Sequence, residues 1–290
     1  MPINVAAAMA AKLQPIDYEW NEDRVILYHL GLGAGAAFTD PKELEYTYEK
    51  TLKVLPTFAV LPGFGMAPQV ASTPDLNIDL TGVVHGEHEI TLDGPLPVAA
   101  RVRSTAEVTG VYDRGSGAAI MFRIDTADRD TGKRLFSNTW TLFARGAGGF
   151  GGPAAPKPEI LPPQRAPDAE VRSPLIPQIA QIYRLSGDKA FLHIDPELVR
   201  LAGFDRPIVH GLCSMGVVTK AVVDGLLGGD VARVRRVRMR FAKPVFPGET
   251  ILTRAWREGG LVAIEAIALE RGENVVTQAW MEVRATDGTG

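Results

Sequence analysis

Asp188 and His193 are the two residues of this sequence whose types and spacing best suit proton transfer. They lie five positions apart in a turn-like segment, residues 183–196. A carboxylate and an imidazole that converge on one water can remove a proton from it and position it or return a proton, and the ordinary pKa of histidine, about 6.5, is close to working pH. A structural alternative fits the spacing equally: Asp188 caps a turn after Gly187, and His193 is an interior histidine with its hydrogen bonds satisfied.

Gly211 stands downstream of this pair, at the entrance to a long apolar segment. Its backbone N–H could point at a carbonyl oxygen, and the dipole of the following helix would favour negative charge that develops there. The alternative is an ordinary glycine at a helix entrance, with His210 beside it as a buried structural residue. An acid, a base and such a donor are the groups needed to move a proton beside a carbonyl.

Further residues could contact a ligand. His85 and Gly86 lie in a predicted strand, where a histidine followed by glycine either lets a ligand approach the backbone or marks a bulge. Arg114, in the turn 113–117, could pair with a phosphate, although a turn arginine can equally face solvent. Phe241 would by default belong to the core.

Composition excludes several other classes of function. The net charge of −3 and the pI near 6.0 give no bulk attraction to nucleic acid or to an anionic membrane. One cysteine, Cys213, excludes an intramolecular disulfide and a multi-cysteine metal site. The glycine run at 31–35 lacks the strand and helix that a dinucleotide-binding fingerprint requires, so a flexible turn is the better interpretation. No nucleophile elbow surrounds Ser214, and the five histidines show no metal-ligand spacing.

The sequence predicts a cytoplasmic protein. Residues 1–13 lack the basic start and apolar core of a signal peptide, and no apolar stretch approaches the roughly 20 residues that cross a bilayer. The last residues, 287–290, are not a peroxisomal address.

The elements around these candidate residues repeat. Residues 1–150 and 173–290 each contain helical material followed by four β segments, and a linker rich in glycine and proline, 151–172, separates them. The helix predicted at 212–227 is apolar on most faces, so a sheet should wrap it. A curved antiparallel sheet around one helix is a hot dog arrangement, and the repeat predicts an α+β double hot dog. The predicted strands are 83–92, 99–111, 118–126, 134–145, 235–241, 251–256, 261–269 and 275–285.

Several ordered motifs resemble one family closely. Residues 183–188, 193–196 and 208–213 resemble the signature of hydratase 2, the (R)-specific 2-enoyl-CoA hydratases. This MaoC-like group includes the hydratase part of peroxisomal multifunctional enzyme type 2. The likeness extends over nearly the whole chain, through landmarks at 55–58, 84–87, 113–117, 145–152 and 240–250.

The resemblance implies a double hot dog, usually dimeric, that adds water to a trans-2-enoyl-CoA without a cofactor. The product is the (3R)-hydroxyacyl-CoA. Asp188 and His193 carry over as the water-activating pair, and the Gly211 N–H carries over as donor to the thioester oxygen. The N-terminal half would accommodate the acyl chain. Substrate contacts carry over to His85, Gly86, Arg114 (where a lysine is common in the family), Lys189, Ala190, Phe191, Leu192 and Phe241.

The sequence departs from the family pattern inside this loop. Ala190 replaces an asparagine whose amide would hydrogen-bond within the site, and Phe191 replaces a proline that would stiffen the loop. Loss of a polar orienting group costs about 10²–10³-fold in such sites. Hydratase activity is therefore lowered, or substrate and reaction have shifted. Two alternatives follow: a hot dog protein that binds acyl-CoA or an acyl-carrier protein without hydrating it, and a biosynthetic dehydratase for another substrate.

Overall fold

A ten-stranded antiparallel sheet runs through the computed structural model, which describes residues 3–154 and 160–285. Its strands lie in the order β1-β3-β4-β5-β2-β7-β10-β9-β8-β6. They are β1 (Ile16–Trp20), β2 (Val83–Leu92), β3 (Ala100–Asp113), β4 (Gly117–Asp128), β5 (Arg134–Arg145), β6 (Ala169–Pro174), β7 (Val234–Phe241), β8 (Thr250–Glu258), β9 (Leu261–Ala268) and β10 (Glu273–Val283).

The order of the strands is mirrored about the pairing of β2 with β7. Each side of this junction has five strands, and the chain visits equivalent positions in the same sequence on both sides. Antiparallel pairs such as Glu87 with Arg240 and Ile90 with Val237 make the sheet continuous across the junction. This is the double hot dog that the sequence predicts.

Seven α-helices occur among the described residues, and the longest is the apolar helix predicted from the sequence. They are α1 (Val5–Met9), α2 (Glu22–Leu30), α3 (Pro41–Leu44), α4 (Met66–Ala71), α5 (Ile179–Tyr183), α6 (Leu198–Leu201) and α7 (Gly211–Leu226). Most side chains of α7 are buried, and the helix contacts β6, β7 and β8. Burial on nearly all faces offsets the modest helix propensity of its valines.

The N-terminal half has no comparable helix among its described residues. A buried 3₁₀ turn, Pro56–Val60, lies against α7, and the six-residue α4 follows it. Residues 55–63, with prolines at 56 and 62, form this 3₁₀ turn and a following loop rather than a continuous helix. The glycine run at 31–35 is a turn with positive φ at Gly33 and Gly35, so the prediction of a turn is confirmed.

The eight predicted strands are confirmed, each within two residues at both ends. The edge strands β1 and β6 were not predicted. Both are short, and β6 overlaps the predicted linker, whose last residues, 169–172, therefore belong to the sheet. Residues 155–159 of that linker lie outside the described residues, and the division into repeats at 150 and 172 stays a prediction.

A close contact on α7 gives the first testable prediction. A Cβ atom at Gly216 would lie 2.5 Å from Leu32 Cδ2, so Gly216→Ala should destabilise the protein by about 1–3 kcal/mol. This cost should outweigh the gain in helix propensity of about 1 kcal/mol. Urea unfolding measures the change.

Leu32→Ala provides the paired variant for this prediction. The added methyl of Gly216→Ala would occupy part of the space that the leucine leaves, so the double variant should be more stable than the sum of the single effects implies. Additive effects, or a neutral Gly216→Ala, would contradict the contact.

Candidate active site

The loop between α5 and α6 brings Asp188 and His193 together. Gly187, with φ of +146°, starts the loop in a conformation that other residues rarely adopt. The backbone N–H of Ala190 donates to Asp188 Oδ1 at 3.1 Å, and a 3₁₀ turn, Phe191–His193, then turns the chain back. As a result His193 Nε2 lies 3.9 Å from Asp188 Oδ2. The two groups face each other, as the functional interpretation of their spacing requires.

The hydrogen bonds of His193 define which nitrogen can act as a base. Its Nδ1 lies 2.8 Å from the carbonyl oxygen of Ile208, and because a carbonyl only accepts, Nδ1 carries the proton of the neutral ring. Nε2 is then the free acceptor and faces Asp188. The distance of 3.9 Å is too long for a direct hydrogen bond, but one water can bridge two polar atoms at that separation.

His210 completes a compact cluster with this pair. It is buried at the start of α7, as predicted, and its ring stacks on that of His193 with centroids 3.6 Å apart. His210 Nε2 donates to the backbone oxygen of Asp188 at 3.2 Å. His210 therefore fixes the ring plane of His193 and the backbone of Asp188 together.

Ligand atoms of Asp188, His193 and His210 lie within 4.8 Å of one another, a spacing that could hold a metal ion. The two imidazole rings stack face to face. One nitrogen of each ring donates to a backbone carbonyl oxygen, an arrangement that orients a metal-ligating histidine as well as a catalytic base, so these hydrogen bonds do not decide between the two uses.

Burial shifts the pKa values of this cluster in opposite directions for the acid and the imidazoles. It raises the pKa of Asp188 and lowers that of His193, although each group partly offsets the shift of the other through their mutual attraction. Burial lowers the pKa of His210 to about 2, so this ring stays neutral. Both shifts favour the uncharged forms, as a general acid beside a general base requires.

Gly211 is the first residue of α7, and its N–H therefore has no acceptor within the helix. A Cβ atom here would lie 3.2 Å from the ring of Phe241, so glycine leaves the backbone open. Gly211, Asp188 and His193 all line one cavity of about 470 Å³. Its remaining wall is largely apolar and includes Phe64, Ala67, Ala71, Leu80, Val83, Trp140, Leu142, Leu212 and Val245.

A second cavity of about 440 Å³ adjoins the first. His85 and Phe241 line both, and the His85 ring stacks on Trp140 with centroids 4.3 Å apart and planes 4° apart. Gly86 lines the second cavity at a bulge in β2, so both interpretations of this glycine apply. Three arginines, Arg114, Arg145 and Arg240, also line the second cavity.

The structure separates the predicted contact residues of the 188–193 loop into two groups. Ala190 and Leu192 line the apolar cavity. Lys189 is exposed and Phe191 is partly buried, and in the described part of the chain neither lines the two cavities. Phe191 therefore does not fill either cavity.

Sequence reasoning missed three residues of the site, Trp140, Arg145 and Arg240. It also missed the contacts of His210 with His193 and Asp188. Arg240 alternates in β7 with buried Met239 and half-buried Phe241, a pattern that predicts only an outward-facing side chain. No local pattern reveals that it lines the same cavity as Arg114, which lies in the turn between β3 and β4. Trp140 in β5 carries no signal except its alternation.

Comparison with known proteins places both halves of the chain. Residues 18–146 match the family model of the MFE-2 hydratase 2 N-terminal domain, and residues 159–279 match that of the MaoC like domain. The chain is 39% identical over 278 residues to enoyl-CoA hydratase ChsH3 of Mycobacterium tuberculosis, covering 95% of this chain and 97% of that protein. It is 34% identical to mouse peroxisomal multifunctional enzyme type 2, covering 97% of this chain and 39% of the mouse protein.

Solved structures show the same similarity. A MaoC-like dehydratase from Phytophthora capsici superposes with a TM-score of 0.87 at 30% identity, covering 99% of this chain and all of that one. Full-length peroxisomal multifunctional enzyme type 2 from Drosophila melanogaster gives 0.83 at 32% identity, covering 93% of this chain and 48% of that one. Among the described residues, no helix is long and apolar enough to span a membrane.

Acidification should destabilise the fold, because burial lowers the pKa of all five histidines, to about 4 for His29 and His88. Between the ordinary value of 6.5 and these lowered values, the unfolded chain binds more protons than the folded chain. The free energy of unfolding should therefore fall as pH drops from 7 to 5, by up to about 1.4 kcal/mol per pH unit for each histidine. Asp188, whose pKa is raised, opposes this slope in part.

Urea unfolding at pH 7, 6 and 5 measures the slope. His29 lies outside the site, where its Nδ1 donates to Tyr46 O and its Nε2 accepts from the Leu55 N–H. The control His29→Gln should lower stability at pH 7 and make the slope shallower by about one proton. Stability that is constant from pH 7 to 5 would show that the histidines are not held neutral.

Proposed function

This chain belongs to the hydratase 2 family of MaoC-like proteins, and we propose that it adds water to trans-2-enoyl-CoA thioesters. The product is the (3R)-3-hydroxyacyl-CoA, and the reverse dehydration uses the same groups. One observation carries the proposal: Asp188 Oδ2 and His193 Nε2 face each other across 3.9 Å in an apolar cavity that also exposes the first residue of a long helix. The (3R) configuration is carried over from the family.

The geometry assigns each group a step. A water between the pair gives a proton to His193 Nε2 while its oxygen bonds to the β-carbon of the enoyl group. Negative charge then develops on the thioester oxygen, where the Gly211 N–H and the N-terminus of α7 stabilise it. Protonated Asp188 donates its proton to the α-carbon. His193 returns its proton to the Asp188 carboxylate, which restores the starting state.

The two cavities suit the two ends of an acyl-CoA. The first is walled mainly by aliphatic and aromatic side chains and contains the acid/base pair, so it suits the acyl chain. The second contains Arg114, Arg145 and Arg240, whose charges suit the phosphates of the nucleotide. His85 and Phe241 stand at the junction, where the thioester arm would pass from one cavity to the other.

The departure at 190 and 191 leaves the geometry of the pair intact. Ala190 still donates its backbone N–H to Asp188, and Ile208 still accepts from His193. Of the two family residues that are replaced, only the asparagine corresponds to a position that lines a cavity, because Ala190 lines the apolar cavity and Phe191 lines neither. We infer a slower hydratase rather than a protein that only binds acyl-CoA.

Three further features belong to the proposal. The reaction needs no cofactor, because Asp188 and His193 supply both proton transfers. A homodimer follows from the family likeness, and sedimentation velocity would test it against a monomer of 31.2 kDa. The cytoplasmic location stays a prediction from the sequence.

Asp188→Asn and His193→Gln should each lower kcat by about 10²–10⁴-fold, because each removes one proton-transfer group. Loss of enoyl absorbance with crotonyl-CoA and longer or branched enoyl-CoAs measures the rate. Asp195→Asn is the matched control, since this carboxylate lies near the loop and, among the described residues, accepts only from the Glu197 and Leu198 N–H groups. Tight binding of enoyl-CoA without turnover, unchanged by Asp188→Asn, would instead favour the binding-protein alternative.

The double variant Ala190→Asn/Phe191→Pro should raise kcat by at least tenfold, because it restores the orienting amide that the family has. The single variant Phe191→Pro separates the two contributions and should change kcat little, since Phe191 does not line the cavities. Analysis of the product by mass and chirality tests the remaining alternative. A rate unchanged by Ala190→Asn, together with a different product from another thioester, would indicate a biosynthetic dehydratase.

A further inference from the structure

Three side chains beside the cavities form a hydrogen-bonded row that the proposed proton transfers do not use. His85 and His88 lie on β2, and Asn138 lies on the neighbouring β5. His88 Nε2 is 2.9 Å from Asn138 Oδ1, and His88 Nδ1 is 3.3 Å from His85 Nε2. His88 and Asn138 are almost completely buried, whereas His85 reaches both cavities.

The row has one consistent arrangement of protons. Asn138 Nδ2 donates to the carbonyl oxygen of Ala59 at 3.0 Å, so its Oδ1 must be the atom that faces His88. His88 Nε2 therefore carries a proton and donates it, which leaves His88 Nδ1 as an acceptor. Burial lowers the pKa of His88 to about 4, so the ring stays neutral.

The same reasoning extends to His85. Its Nε2 lies 3.3 Å from the His88 acceptor and 3.1 Å from the carbonyl oxygen of Glu87, and both of these groups accept. Nε2 must therefore carry the proton of His85. Its Nδ1 remains as an acceptor that makes no hydrogen bond within residues 3–154 and 160–285.

Neighbouring rings hold His85 in this orientation at the junction of the cavities. Trp140 stacks on one face at 4.3 Å, and Phe241 meets the ring edge-on at 5.1 Å. Phe241 also contacts the backbone of Gly211. Phe241 therefore separates Gly211 from His85. If the thioester oxygen accepts a hydrogen bond from the Gly211 N–H, the part of the ligand on the sulfur side would pass close to His85.

We propose that His88 and Asn138 are positioning residues that hold His85 in its Nε2–H form, so that Nδ1 accepts a hydrogen bond from an amide N–H of the thioester arm. The inference rests on the proposed function and identifies the part of the substrate that this row selects. The favoured ligand is a thioester that carries a secondary amide close to the sulfur, on the side opposite the acyl group. A flipped or protonated His85 would point a ring N–H at the amide N–H of the ligand, and the two donors would repel each other.

Binding of unreactive saturated thioesters tests the selection without requiring turnover. One ligand is the octanoyl thioester of N-acetylcysteamine, which has the amide, and the other is S-pentyl octanethioate, which has a similar shape without it. Calorimetry should show that the protein binds the first about tenfold more tightly, because the second leaves Nδ1 of His85 unpaired. Equal dissociation constants would overturn the proposal.

A matched pair of variants separates positioning from general destabilisation. His88→Leu removes one of the two acceptors of His85 Nε2 and leaves only the Glu87 carbonyl oxygen, so it should reduce the tenfold preference to about threefold. His88→Gln supplies an amide that can both donate to Asn138 and accept from His85, so it should keep most of the preference. The buried pair Ser104–Thr126 lies on β3 and β4, and Thr126→Val is the control for lost buried hydrogen bonding, with the preference unchanged.

Ring ¹⁵N shifts of the wild-type protein give a direct readout that needs no variant to fold. His85 and His88 should both show a protonated Nε2 and an unprotonated Nδ1 at pH 7. An Nδ1–H form or a charged ring at His85 would contradict the inference, whether or not the protein hydrates enoyl-CoA. Conversely, the protein could show the expected ¹⁵N shifts and the tenfold binding preference but no hydration of enoyl-CoA. That result would contradict the hydratase proposal and support the amide-recognition site.

Discussion

Burial of α7 is the constraint on which the rest of the structure depends. The helix is apolar on most faces. Contact with the sheet on one side alone would leave hydrophobic surface exposed to water, so the sheet curves around the helix. Its first turn is then fixed at the edge of the apolar cavity, with the Gly211 N–H exposed to a ligand. The loop that carries Asp188 and His193 packs on the same end, because the ring of His193 stacks on His210, the residue before the helix.

The two halves use equivalent sheets for different purposes. In the C-terminal half the long helix α7 packs against the sheet. In the described N-terminal half this place is taken by a 3₁₀ turn and the short α4. Ala67 and Ala71 of α4 line the apolar cavity with small side chains, which leaves space between the helix and the sheet. The weaker helical content of the first half therefore leaves room for the apolar cavity.

Local patterns predicted the parts of this fold that local interactions determine. Alternation located eight strands, and continuous apolarity located α7, because both depend on residues that are neighbours in sequence. The Asp188–His193 contact was weighed against a structural alternative, since only the turn at 191–193 and the Ile208 carbonyl decide it. The second cavity, with its three arginines, and the His85–His88–Asn138 row both combine residues from segments that are distant in sequence. The spacing of residues in a single sequence does not reveal such contacts.

The mirrored strand order about the β2–β7 junction has a consequence for how such a site can diverge. In a symmetric dimer of two identical repeats, every substitution occurs in both copies. A change that widens the cavity in one repeat would therefore also alter the catalytic site in the other. Fusion of the repeats into one polypeptide removes that coupling. Each half can then acquire substitutions independently, one toward bulkier acyl groups and the other toward a different reactivity at 190 and 191, while the shared sheet keeps both in register.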